Sequence, residues 1–395
     1  MDDTLTGLGD AIADRDIIVC VGTGGVGKTT TSAAIGLRES LAGKKTLVMT
    51  IDPARRLADA LGIPEVGNEE HRIPLNGINF KSSSEGGSFW AMMLESKRTF
   101  DRMVEKYAPS PEVAEKIFQN PFYKHVSGAL SGSQEYMAIE MLSELHEARR
   151  YDLIVLDTPP SASALDFLTA PERMMAFLNQ SVLQWFLKPY LTLSRLSFNT
   201  FKMGSRAFLK IVEKVVGGAV IRDLLDFFEG FEGMYEGFKQ RAETVDRILR
   251  RSRTGFVLVA APSRMTLDEA KVFLGKLKEM GMPLAAVVIN RATFLPEGID
   301  SSFLDRGRPT YDAVVEEVGG IDSPESSIVT NMWENALGFR ELISKEMEEI
   351  GKFRAGVEED VSMVTAPRFD EDIHELEGLN RLAEFLYNPR AHVNI

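Results

Sequence analysis

The sequence predicts an α/β fold, a doubly wound and mainly parallel sheet with inserted α-helical subdomains. Three observations carry the prediction. Short apolar runs rich in β-branched residues recur at 16–22 (DIIVCVG), 45–52 (KTLVMTID), 151–160 (YDLIVLDTPP), 255–262 (GFVLVAAP), 284–290 (LAAVVIN) and 361–367 (VSMVTAP). Runs of this length without polar alternation suit strands covered on both faces of a parallel sheet. Helix-length segments such as Thr29 to Leu41 and Thr266 to Met280 separate several of them, the alternation of an α/β domain. Two intervals are too long for simple crossovers. Residues 88–150 read as several helices, beginning with SFWAMMLESKRTFDRMVEKYA, and residues 171–250 hold no convincing strand.

These boundaries define one domain over 1–395, with a core of about 15–87, 151–170 and 251–395 and helical insertions at about 88–150 and 171–250. Residues 292–326, rich in Gly, Pro, Ser and Asp, read as a long surface connection. With 44% hydrophobic residues the chain can bury a substantial core. A net charge of −13 argues against a general nucleic-acid binder, which carries basic surface over its binding domain. The one cysteine, Cys20, sits inside an apolar run as a buried strand residue, so the chain offers neither a disulfide framework nor a C-x-x-C ligand pair. The acidic N-terminus lacks a signal-like apolar core and no run of about 18 apolar residues occurs. A cytoplasmic protein, touching membranes peripherally if at all, is the expectation.

The residues that carry chemistry lie at the strand ends. Gly22-Thr23-Gly24-Gly25-Val26-Gly27-Lys28-Thr29 fits G-x-x-x-x-G-K-[ST], the loop whose backbone N–H groups converge on phosphate oxygens at a helix N-terminus. It lies between a predicted strand and a predicted helix, the context the motif requires. Lys28 is expected to reach the β- and γ-phosphates and the Thr29 hydroxyl to sit on magnesium, with Thr30 beside it. The ligands the motif implies are a nucleotide with β- and γ-phosphates and Mg²⁺. Asp157 closes an apolar strand, where an unpaired carboxylate is costly and a magnesium-bound water relieves that cost; a helix-capping or turn aspartate is the plain alternative. Asp52 ends another strand before Pro53 and faces the same crevice. It is a candidate for orienting the attacking water, or else a turn cap.

The segments GTGGVGKTT, DPARRLADALG, DTPPSASALDFL, VVINRATF and TAPRFDEDIHELEGLNRLAEFL, in this order from Gly22 to Leu386, resemble the arsenical-pump-driving ATPase family, which includes the ATPases that target tail-anchored membrane proteins. The resemblance implies a P-loop ATPase core. It further implies a dimer with two nucleotides at or near its interface, and helical subdomains that handle a hydrophobic client or membrane partner. By position, Asp52 matches the switch I aspartate and Asp157 the switch II aspartate near magnesium. Asn290 matches the adenine-reading asparagine, with a strand-end turn residue as the alternative, and Pro367 falls near the loop that packs on the base. Arg291 is grouped with Asn290 in the nucleotide-binding set.

The departures are informative. The metalloid pump and the tail-anchor targeting factor use cysteines, for metalloid binding and for a zinc-linked dimer. One cysteine here disfavours arsenite transport and implies a dimer closed without zinc. Thr23 stands where the family carries a lysine that reaches the partner's nucleotide. A threonine hydroxyl has no charge and cannot cross an interface. Arg55 or Arg56 can supply the cation, or a related ATPase with the lysine can pair with this chain as a low-turnover, nucleotide-sensing subunit; the heterodimer is preferred over the homodimer with a cis cation. A partitioning or cell-division positioning ATPase of the related group predicts a compact chain without the insertions.

From Arg173 to Val212 there is no Asp or Glu, and Phe198, Phe201, Phe208, Val212 and Val215 share one helical face while Arg195, Lys202, Arg206 and Lys210 share another. This is a basic amphipathic helix, suited to a membrane surface or partner helix, with ordinary core packing as the alternative.

Overall fold

A computed structural model of the 395-residue chain describes residues 7–52, 56–64, 69–75, 86–121, 123–124, 133–158, 235–294 and 324–388, with positions 169, 223, 227, 312, 315 and 316. Its centre is an eight-stranded sheet. The strands are β1 (Ile17–Gly22), β2 (Lys45–Thr50), β3 (His71–Ile73), β4 (Ser88–Met93), β5 (Leu153–Asp157), β6 (Thr254–Ala260), β7 (Leu284–Ala292) and β8 (Ser362–Pro367). They lie in the order β3-β4-β2-β5-β1-β6-β7-β8. Every pairing is parallel except β3 with β4.

The helices are α1 (Leu8–Ile12), α2 (Lys28–Leu41), α3 (Arg56–Leu61), α4 (Ser96–Tyr107), α5 (Pro111–Gln119), α6 (Ser133–Glu147), α7 (Tyr235–Arg250), α8 (Arg264–Glu279), α9 (Pro324–Arg354) and α10 (Leu376–Tyr387). Side chains alternate across a strand, so β1 feeds two cores. Ile17, Val19 and Val21 join the core closed by Phe100, Ile117, Leu142, Leu249, Phe273 and Phe353 of α4 to α9. Ile18 and Cys20 face α1, α2, α3 and α10 through Ile12, Ala34, Leu57 and Leu382. Cys20 is thus the buried strand residue expected, and burial pushes its thiol up to about 12. The doubly wound parallel sheet stands as predicted.

The six expected strands are present with ends shifted by a few residues. One expectation fails: Ser88–Met93, read as the start of a helix, is a strand of the sheet paired with β2 and β3, and helix begins only at Ser96. A short apolar run does not distinguish strand from buried helix by periodicity. The aromatic pair Phe89-Trp90 and the turn glycines Gly86 and Gly87 before it were the available strand signals. The antiparallel β3 and the 31-residue α9 had no counterpart in the sequence reading. The acid-free segment Arg173–Val212 and Arg55 lie outside the described residues, as does most of 292–326.

Candidate functional site

The parallel register brings the carboxyl ends of three strands side by side. Cys20 of β1 and Thr50 of β2 both pair with Asp157 of β5, while Gly22 pairs with Val259 of β6. The crevice outside those ends is where open α/β sheets bind ligands.

The turn from β1 into α2 depends on two glycines. Gly22 has φ +150, and a Cβ there would lie 2.1 Å from the Val259 carbonyl oxygen. Gly27, with φ +94, caps α2, and its Cβ would meet Asn290 Nδ2 at 2.2 Å. Neither position accepts a side chain without displacing backbone or the asparagine. The first turn of α2 has no acidic residue and no side-chain cap, the arrangement in which helix N-terminal N–H groups can take an anion.

Lys28 is buried, with Nζ donating to the Thr23 carbonyl at 2.7 Å, and burial lowers its pKa. The Thr29 hydroxyl donates to Asp157 Oδ2 at 2.7 Å, as does that of Thr50 at 2.8 Å. Asp157 is fully buried. Burial pushes its carboxyl up to about 6, and the two hydroxyl bonds pull the other way. Its Oδ1 has no hydrogen-bond partner among the described residues. An orphaned carboxylate oxygen beside a threonine hydroxyl is a donor set of hard oxygens, the kind that magnesium takes through water. Thr29 and Asp157 therefore fit the metal expected of them.

Asp52, 7% exposed, lies just beyond β2, where its backbone N–H bonds the Thr50 hydroxyl at 3.2 Å. Arg56 Nη1 stands 3.2 Å from Asp52 Oδ2. The Arg56 side chain is more than half exposed, and its charge adds to the forces that lower the Lys28 pKa. Thr23 offers no cation, and its hydroxyl is buried without a hydrogen-bond partner among the described residues.

On the other flank Asn290 Nδ2 donates to the Val26 carbonyl at 2.9 Å, and Arg291 Nη1 to that of Gly25 at 2.8 Å. Arg291 has a left-handed backbone, φ 63, a strained conformation for a side-chain-bearing residue. Pro367 ends β8 opposite Ala292, and Arg368 N bonds the Ala292 carbonyl at 2.9 Å. The structure thus brings Lys28, Thr29, Asp52 and Asp157 together, sets Asn290 and Arg291 against the loop itself, and leaves Pro367 one strand away. The residues missed from sequence are Thr50, a second donor to Asp157, and Val259, whose carbonyl makes Gly22 obligatory.

A model of the anion-transporting ATPase family matches residues 15–324. The chain belongs to this family. It is an ATPase, as the expected P-loop core required. Relatives are distant but extensive. A protein of Aquifex aeolicus (strain VF5), provisionally named arsenical pump-driving ATPase 1, is 26% identical over 321 residues, 78% of this chain and 72% of that protein. ATPase GET3 of Malassezia globosa is 25% identical over 313 residues, covering 79% and 83%. The ATPase ASNA1 homolog of Cryptosporidium parvum (strain Iowa II) is 24% identical over 283 residues, covering 71% and 66%. Among the described residues no helix of this ATPase is long and apolar enough to cross a membrane.

Proposed function

We propose that this ATPase works as a dimer in which ATP binding and hydrolysis move the helical insertions that hold a hydrophobic or membrane-associated protein partner. The observation that carries the chemistry is the convergence of Lys28, Thr29, Asp157 and Asp52 on adjacent strand ends. Lys28 exchanges the Thr23 carbonyl for phosphate oxygens, and Asn290 and Arg291 hold the loop in shape from β7. Thr29 and Asp157 would hold magnesium, which neutralises phosphate charge when bound. Asp52 accepts a hydrogen bond from the attacking water and so orients it. Distant relatives with the names GET3 and ASNA1, and the acid-free segment Arg173–Val212, support the partner class.

The missing lysine at Thr23 has a replacement in this chain. Arg56 contacts Asp52 across 3.2 Å with its side chain more than half exposed, so it can swap that carboxylate for a phosphate oxygen without leaving the site. The swap also releases Asp52 toward water. This contact favours a cis cation over one donated by a related chain. In purified protein, Arg56→Ala should lower turnover by about 10³-fold, the scale of an arginine acting on a transferring phosphoryl group, and weaken ATP binding in calorimetry more than ADP binding. Unchanged turnover and an unchanged ATP-to-ADP affinity ratio would return the assignment to a heterodimer, in which Thr23→Lys restores activity.

A further inference from the structure

α9 carries an apolar stripe along most of its length, broken at Asn335 and Glu346. At 100° per residue, Ile328, Met332, Phe339, Leu342, Ile350 and Phe353 fall within an arc of about 80°. The two ends of that stripe have different fates. Ile350 and Phe353 are 7% and 0% exposed in the core against α8, whereas Ile328, Met332, Phe339 and Leu342 are 60%, 67%, 50% and 43% exposed. Glu346 marks the border. Its carboxylate accepts from Thr293 N at 2.8 Å and from Thr293 Oγ1 at 3.1 Å, just past the carboxyl end of β7. From there α9 runs on to Pro324, roughly 33 Å at 1.5 Å per residue. The exposed stretch therefore stands beyond the strand ends, on the side of the sheet where the nucleotide crevice opens.

The stripe is spaced as a helix–helix seam. Positions 328, 332, 335, 339 and 342 alternate steps of four and three, the a/d pattern of a coiled coil, with Asn335 its one polar member. Read in either direction from Asn335 the seam is nearly the same. Ile328 and Leu342 lie one heptad away on each side, with Met332 and Phe339 inside them. A two-fold axis through Asn335 sets Ile328 over Leu342 and Asn335 over its own copy and brings Met332 and Phe339 within one position of each other, the approximate self-complementarity that suits an isologous interface. The flanking residues Val329, Asn331, Ala336 and Gly338 are small or uncharged, and Glu334, Arg340 and Glu341 sit on other faces. In a chain of net charge −13 this uncharged band is suited to meet a second copy without repulsion.

We infer that residues 328–342 of α9 form a docking seam for the same helix of a second copy of this chain. The inference deepens the dimer reading above and can fail without it. The four side chains leave on the order of 400 Å² of apolar surface in water, the size at which an exposed patch marks an interaction site but about half of a standard interface per partner. The seam alone therefore gives a concentration-dependent dimer.

The test uses the full chain. Cys20 is the only native cysteine and is fully buried, so an introduced thiol reports without background. Asn335→Cys should form a disulfide-linked dimer under mild oxidation, and Glu341→Cys on another face should not. Met332→Glu and Phe339→Glu should shift the light-scattering mass from dimer to monomer while leaving the melting temperature and ATP affinity unchanged. A dimer that survives Phe339→Glu, with no Asn335→Cys crosslink, overturns the seam and leaves the dimer standing. A chain that is monomeric with and without ATP overturns both. A crosslink from Asn335→Cys to a different polypeptide, with no self-crosslink, assigns the seam to a foreign helix and overturns the second-copy reading.

Discussion

Asp157 and Glu140 are both sealed from water, 0% and 2% exposed, and burial raises the pKa of each. Their neighbours separate them. Among the described residues Asp157 receives two neutral hydroxyls and no salt bridge, while the nearby Lys28 amine is turned to the Thr23 carbonyl. Glu140 of α6 receives Arg241 Nε of α7 at 2.8 Å, and Arg241 Nη1 also bonds both oxygens of Glu147 at 2.7 Å. The charge of Glu140 is answered within the chain, by a residue that ties the last helix of the first insertion to the last helix of the second. The charge of Asp157 is left for something that arrives. A buried charge without a protein partner is poor for stability and suited to a ligand, whereas the paired one serves the fold.

The effect expected of Lys28 is on binding. Lys28→Ala removes the only ammonium in the loop and should weaken ATP by at least about 100-fold in calorimetry, the scale of lost charge-assisted hydrogen bonds. Its melting temperature without nucleotide should hold or rise, since a buried amine is removed. A fall in stability with ATP affinity intact would reverse the comparison and make Lys28 the structural group.

The helical pair should behave in the opposite way. Arg241→Met leaves Glu140 buried without its cation and should destabilise the protein by about 3–5 kcal/mol in denaturant unfolding. ATP affinity of the remaining folded protein should be unchanged. If ATP affinity fell with stability, the joint between the insertions would be coupled to the crevice even without nucleotide.

What was legible in sequence follows the reach of each interaction. The loop from Gly22 to Thr29 is an eight-residue spacing fixed by one turn and one helix start, so its residues could be named without a fold. The Arg56–Asp52 contact spans four positions and was half visible, as a candidate cation whose partner was not foreseen. Asn290 donates to Val26 across 264 positions, and Arg241 to Glu140 across 101, and no local pattern encodes either. β4 was misread because FWAMM, which follows Ser88, is apolar throughout, so its period was hidden. The α9 seam was written in the spacing of Ile328, Met332, Phe339 and Leu342. Only the structure separates it from core, by showing where the body ends and the helix continues.

Asp52 sharpens the comparison within the crevice. Asp52→Asn keeps one oxygen and the shape of the site but no longer orients water as a carboxylate. Turnover should fall by about 10²-fold or more, the usual share of a positioned base, with ATP affinity changed by less than about threefold. Because Arg56 then loses its charged partner, ATP affinity should move upward if it moves at all. Equal losses in turnover and affinity would instead make Asp52 a structural residue, as Glu140 is.

The smallest expected effect is a difference in pH dependence. Burial holds the Glu140 pKa above its ordinary 4.5, against the opposing pull of Arg241. The folded state therefore keeps a proton on Glu140 that the unfolded chain has already released. Stability from this group is full below 4.5, falls as pH rises through the interval up to the raised folded value, and is level above it. Glu140→Gln carries no proton to lose and still presents a side-chain oxygen to Arg241, whose bonds to Glu147 remain. The melting temperature of the wild type relative to Glu140→Gln should thus decline as pH is raised from 4 and then become constant, with every other titrating group cancelling between the two proteins. Parallel curves over that range would mean that Arg241 compensates the Glu140 charge in full. The helical joint would then differ from the Asp157 site even more sharply than burial alone implies.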